Sequence, residues 1–331
     1  MIRRVAVASS LVALLMTGML GGGAEAQSDP AQIPCTSLGI TSMDVEELRA
    51  SGDAACDLTG TLAAFPDGRS MTIPDPGVQV VASAATIEGS APVPDIVLEN
   101  FESSGVVALE VNPDRGPDEA VTAWGPDALV QEATEDLVTH TGTTSSGYTC
   151  TDGLWSQSGS TRSKTYSWSY NATVSPANLL PGVQRGGTVL TATVNNCGFV
   201  SARVGLKSPY AGTTSAGANI NGNGTCAASD GKNTQNFGAL PSNILGVACR
   251  WSGSANEADI AYNSTKWWHA GQGACPASHY RLNAIAAHEF GHVFGLGHAP
   301  NTQNVMRTSF STCAPDARVG FGDFSGLDYL Y

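Results

Sequence analysis

Residues 288–298 read HEFGHVFGLGH and hold three of the six histidines in a chain of 331 residues. His288 and His292 stand four positions apart. In a helix four residues turn ~400°, so both imidazoles project from nearly the same face, one turn apart, and can reach one metal ion. Glu289 sits one position round, where it can meet a water on that metal instead of sharing the two-histidine grip. This is the mechanical logic of H-E-x-x-H: two zinc ligands and a general base. A third ligand requires the helix to stop, because a continuing helix would carry His298 away. Gly295 and Gly297 supply the break, since glycine enters left-handed backbone at little steric cost. The chain can then turn back and present His298. The pattern H-E-x-x-H-x-x-G-x-x-H is thus met by His288, Glu289, His292, Gly295 and His298. Gly291, inside the helix, costs about 1 kcal/mol relative to alanine and implies packing too close for a side chain.

The elements that must carry these residues follow from pattern. Ser278 reads as an N-cap before HYRLNAIAAHEFGHVF, where Leu282, Ile285, Ala286, Phe290 and Val293 recur at helical spacing. His279 falls roughly two to three turns before His288, out of reach of the same ion. A strand is expected around Ala258–Tyr262 and another in KTYSWSYNATV, where aromatic residues alternate. PGVQRGGTVLTATVNN reads as a helix weakened by glycine and threonine, NGNGTCAASDGKN as a loop, and FSGLDYLY as a short closing helix. Before residue 145 the pattern is different. VQVVASAATIEGSAPVPDIVLENF and GVVALEVNPD read as short strands broken by Pro, Gly and Asp, with a helical stretch in PDEAVTAWGPDALVQEATEDLVTH. HTGTTSSGYTC reads as a linker.

MIRR followed by VAVASSLVALLMTGML and GGGAEAQ has the form of an export signal, with Ala24-Glu25-Ala26 as its cleavage site. The organisation expected is therefore 1–26 signal peptide, 27–145 a smaller β-rich region, and 146–331 an α+β domain bearing the histidines. A net charge of -13 without any basic run excludes nucleic acid and a polybasic membrane surface as partners. No later segment is long and apolar enough for a membrane anchor. All eight cysteines lie beyond the signal and none forms a C-x-x-C pair, so a disulfide framework is expected in a secreted, extracellular protein. The count leaves connectivity open. Sequential pairing is the reading adopted: Cys35 with Cys56, Cys150 with Cys197, Cys226 with Cys249, Cys275 with Cys313.

Downstream, NVMRTSF places Met306 eight residues after His298. The long histidine motif followed by this methionine resembles the metzincin zinc proteases, and the short gap resembles their matrixin branch. DFSGLDYLY is similar to the last helix of matrixin catalytic domains, with Asp323, Gly326, Leu330 and Tyr331 at recurring positions. EADIAYNS resembles the strand before the zinc helix. The resemblance spans about residues 146–331. It implies a metzincin fold: a twisted mixed, mostly parallel sheet with an edge strand, a zinc helix, a Met-turn at Met306, a long first helix and a closing helix. It also implies one catalytic zinc on His288, His292 and His298, with substrate paired to the edge strand. Glu289 would take a proton from the zinc-bound water and give it to the leaving amine.

Several features depart from that pattern. No histidine lies between His140 and His269, so a second, structural zinc is not expected. Thr308, Ser309 and Phe310 stand where Pro-x-Tyr is usual, which leaves Thr308 and Phe310 as candidate S1′ wall residues of altered shape. Calcium (Ca2+) has no clear counterpart site; NGNGTCAASDGKN could offer oxygens but is read as a solvated loop. Arg307 has no assigned role, and His140, His269 and His279 are read as surface or structural. Matrixin pro-regions block the zinc with a free cysteine. Cys35 is the candidate here, but pairing with Cys56 is preferred, leaving 27–145 as either a removed pro-segment of a zymogen or a β-rich module.

The function expected is that of a secreted, monomeric zinc endopeptidase acting on protein or peptide substrates. The alternative is an extracellular protein that retains zinc without cleaving, against which Glu289 speaks, because a pure metal site needs no base. An extracellular carbohydrate-binding or adhesive role would rest on 27–145 alone, where nothing specifies sugar.

Overall fold

A computed structural model of the chain describes residues 33–48, 56–101, 104–112, 121–135, 137, 139–140, 150, 153, 155–159, 163–198, 204–253, 256–270, 273–299, 304–315 and 317–331. The expected signal peptide and most of the linker around residue 145 lie outside the described residues. Residues 33–331 form one compact unit.

Its frame is a ten-stranded mixed sheet. In chain order the strands are β1 (Val78–Ile87), β2 (Asp95–Asn100), β3 (Val106–Val111), β4 (Val121–Trp124), β5 (Trp168–Asn171), β6 (Tyr210–Thr214), β7 (Thr234–Gly238), β8 (Ile244–Gly253), β9 (Glu257–Asn263) and β10 (Ser309–Phe310). They lie in the order β6-β5-β7-β9-β8-β1-β2-β3-β4, with β10 beside β1. The first four, β6 to β9, are mutually parallel. β8 reverses direction against β9, and β1 to β4 continue antiparallel. The helices are α1 (Asp127–Glu135), α2 (Leu180–Thr191), α3 (Leu282–Val293) and α4 (Phe321–Leu330).

Both faces of the central strands are covered, which explains why β1 and β8 read as mostly apolar runs instead of alternating ones and why every residue of β9, its polar ones included, is buried. On one face Leu245, Ala248, Ile260 and Tyr262 pack with Val183 and Val189 of α2 and Ile285, Phe290 and Val293 of α3. On the other, Val80, Ala82, Val247 and Trp251 pack with Val45, Leu48, Phe65 and Met71 from the N-terminal region. Cys35–Cys56, Cys150–Cys197, Cys226–Cys249 and Cys275–Cys313 are the disulfides.

One local expectation needs adjustment. α3 starts at Leu282 with Arg281 at its N-cap, not Ser278. Tyr280–Arg281 instead pairs with Trp268–His269, and the His279 carbonyl accepts from the Cys313 amide, so the backbone before α3 is held extended. α2 forms in spite of its glycines because they are its contact surface. A Cβ on Gly186 would lie 2.7 Å from the Ala287 nitrogen, so the two helices can touch only without it. β8 is not an edge of the sheet: β1 pairs along it from Val78 to Thr86.

Gly186→Ala should therefore destabilise the fold by about 1–3 kcal/mol through overpacking, although alanine is the better helix former by about 1 kcal/mol. Denaturant unfolding of the two proteins checks this; equal or higher stability in the variant would show that α2 can shift away from α3.

Candidate functional site

α3 ends at Val293, and Gly295 follows with φ 92°, the left-handed conformation that turns the chain back. Gly297 is needed for a different reason. Leu296–Gly297 pairs antiparallel with Ser156–Gln157, and a Cβ on Gly297 would lie 2.6 Å from Ser156 Oγ. The Ser156 hydroxyl donates to the His298 carbonyl at 2.6 Å, pinning the returning chain. The buried Arg250 on β8 donates to the carbonyls of His292 and Ser158, placing a cation at the C-terminal end of α3.

His288, His292 and His298 converge. One nitrogen of each lies within 4.8 Å of the others, and no other such group of His, Cys, Asp or Glu occurs among the described residues. The second nitrogen of each ring is occupied. His288 Nδ1 meets the Val305 carbonyl at 2.9 Å, His292 Nδ1 the Leu296 carbonyl at 2.8 Å, and His298 Nδ1 the Asp95 carboxylate at 3.1 Å. Acceptors on all three Nδ1 atoms place the proton there and leave the Nε2 lone pairs facing inward. His298 Nε2 is buried without a hydrogen-bond partner. Burial, then the neighbouring imidazoles, hold His288 and His292 well below the usual histidine range, in the neutral form a metal requires. Three imidazole nitrogens and no soft or additional carboxylate donor suit zinc with an open position.

Glu289 is fully buried beside them. Burial pushes its carboxyl well above the ordinary range. Gly246 of β8 makes room for it: a Cβ there would stand 2.6 Å from Glu289 Oε1. The same oxygen accepts from the Ala85 amide of β1 at 3.3 Å, and Oε2 has no partner.

Below the histidines runs the turn bearing Met306. A Cβ on Gly291 would collide with the Met306 sulfur, which accounts for a glycine inside α3. The turn hangs on Asp323 at the start of α4, which accepts from the amides of Val305 at 2.8 Å, Met306 at 3.3 Å and Gly320 at 2.9 Å. Burial lifts its carboxyl to about 6 against those hydrogen bonds. Of the candidate wall residues, Phe310 packs its ring 5.2 Å from that of His288, and the Thr308 carbonyl accepts from the backbone and hydroxyl of Thr86. Arg307 lies 4.5 Å over the Phe310 ring. Cys35 is bonded to Cys56 and buried, so it holds no free thiol for the metal. The His279 ring lies tilted against that of Trp267 at 5.9 Å, and His279 is not one of the three converging histidines. The loop NGNGTCAASDGKN is tied to β9, where Glu257 accepts from Ser229 and the Gly231 amide, and the residues flanking the loop are tied there too, Asp259 accepting from the amides of Asn219 and Thr234.

Asp95, Arg250 and the β1 amide were not legible as site components. Arg250 carries a weak signal, a lone charge in an otherwise apolar strand; Asp95 and Ala85 carry none.

An H-E-x-x-H helix, a glycine break to a third inward-facing histidine, and a methionine turn beneath them define the metzincin class of zinc site. Residues 227–331 match the family model described as matrixin, and this part of the chain is a matrixin-like metzincin. That family is one of peptidases, which implies zinc and protein substrates. A search of curated proteins gave no match.

Removing the Asp323 carboxylate strands three buried amides. Asp323→Ala should cost about 3–5 kcal/mol, since each orphaned buried donor costs about 1–3 kcal/mol and the losses overlap. Chemical denaturation checks the value, and a loss below about 1 kcal/mol would mean the turn finds other acceptors.

Proposed function

We propose that the chain is a secreted zinc endopeptidase, here in a covered, latent form. The observation that carries the reading is the position of Glu289. Its carboxylate lies beside three inward-facing imidazoles and 3.3 Å from the nitrogen of a peptide group that is itself paired to β8. A base in that place reaches the amide of any extended peptide laid along the outer edge of β8.

His288, His292 and His298 would hold the zinc, which supplies a Lewis acid for a peptide carbonyl and a more acidic water. β8 would align the substrate through backbone hydrogen bonds. Glu289, with its proton affinity raised by burial, would take a proton from the attacking water and return it to the leaving nitrogen. Thr308 and Phe310, beside His288 and β1, would shape the pocket beyond the scissile bond. The charged start, apolar stretch and Ala24-Glu25-Ala26 of the leader support export, and four disulfides suit an oxidising compartment. No helix among the described residues is long and apolar enough to cross a membrane.

In this form β1 occupies the edge of β8, and the three histidines and Glu289 are at most 5% exposed. Residues 27–145 would thus be the segment that maintains latency, by strand pairing and not by a cysteine. The same covering favours the second reading, a zinc-retaining protein that does not cleave.

The test is to incubate the intact chain with a peptide library before and after limited proteolysis, with and without chelator. Limited proteolysis is preferable to deletion, because residues 35–124 share a core with β8. Chelator-sensitive cleavage should rise on opening. Glu289→Ala should keep about one zinc per chain while cleavage falls by roughly three orders of magnitude. If no opened form cleaves any peptide, the non-catalytic reading stands.

A further inference from the structure

We propose that Asp95 is a positioning residue of the metal centre, lent to His298 by the N-terminal region. The inference rests on the reading that His298 is a zinc ligand. The Nδ1 atoms of His288 and His292 are held by the carbonyls of Val305 and Leu296, both inside the matrixin-like stretch. For His298 the acceptor is a side chain 203 positions away in sequence and outside that stretch.

The contact is built, not incidental. Asp95 is the first residue of β2, fixed by pairing with Val111 of β3, and the carbonyl of the preceding Pro94 accepts from Arg69. Asp95 and His298 are 3% and 5% exposed, so no bulk water competes for the Nδ1 proton. His298 also needs such a partner most. His288 and His292 ride on α3, whereas His298 lies on the returning chain beyond it, where the backbone is fixed but the ring can still turn. A carboxylate on Nδ1 selects the tautomer with Nε2 free, fixes the ring plane, and makes Nε2 a stronger donor. Its negative charge also favours a nearby dication.

A consequence follows for the cover. β2 pairs with β1, and β1 pairs with β8. Any affinity that Asp95 adds for zinc is therefore returned by linkage as stabilisation of the covered form. Zinc and the N-terminal strands hold each other in place.

The experiment measures zinc affinity of the intact chain by chelator competition, in wild type, Asp95→Ala, Asp95→Asn, His298→Ala and the Asp95→Ala/His298→Ala double variant. Asp95→Ala should weaken zinc by about 10–100-fold, the usual effect of losing a partner of a ligating histidine. Asp95→Asn should fall between, because its amide oxygen still accepts from Nδ1 but carries no charge; it also keeps the side-chain shape should the alanine variant fold poorly. In the His298→Ala background, Asp95→Ala should add almost nothing. Wild-type affinity in both Asp95 variants, with His298→Ala weakened, would overturn the role of Asp95 alone. An equal loss with and without His298 would overturn it too, by showing a general structural effect. Unchanged affinity in His298→Ala would overturn the ligand reading itself, and this inference with it.

Discussion

Three imidazoles can share one ion only if each turns one ring nitrogen inward and keeps it unprotonated. A helix settles where two of the rings start, but it does not settle which nitrogen faces the centre. That is done by the acceptors at Nδ1: the Val305 carbonyl on the methionine turn, the Leu296 carbonyl on the returning chain, and the Asp95 carboxylate on β2. Each acceptor belongs to a different segment, so the centre requires the turn, the return and the N-terminal strands to be in place together. Asp323 holds the turn and Ser156 holds the return. The site is assembled from outside inward.

The same economy of space runs through the packing around it. Glu289 stands where it does because β8 offers a glycine at residue 246, and the methionine turn approaches α3 because the helix offers one at residue 291. α2 meets α3 across glycine as well. None of these positions needs an unusual backbone angle. They are places where one methyl group would push a functional element outward by more than a tight core allows.

The antiparallel β8 would, as an edge, present a row of unpaired backbone groups, which is a template for any extended peptide. In this chain β1 takes that row and carries three further strands with it. One long sheet therefore joins the matrixin-like part to residues that the family match does not reach. The amide of Ala85 is brought to the catalytic candidate by this pairing, and Asp95 to His298 by the next strand over.

Much of the centre was visible in the chain as written. His288, Glu289, His292, Gly295, His298 and Met306 lie within nineteen residues, and over such a span helical periodicity and glycine's access to left-handed backbone decide geometry locally. The closing helix with Asp323 and the β9 strand were legible for the same reason, as periodic or family-like patterns. Ser278 misled because a good capping residue only permits a helix start; pairing of Tyr280–Arg281 with Trp268–His269 claimed the intervening backbone first. The partner of His298, the occupant of the β8 edge and the cation at the end of α3 were decided by tertiary structure alone. They join residues from about 40 to more than 200 positions apart, and strand pairing over such distances depends on register and topology, which leave no periodic mark on the sequence.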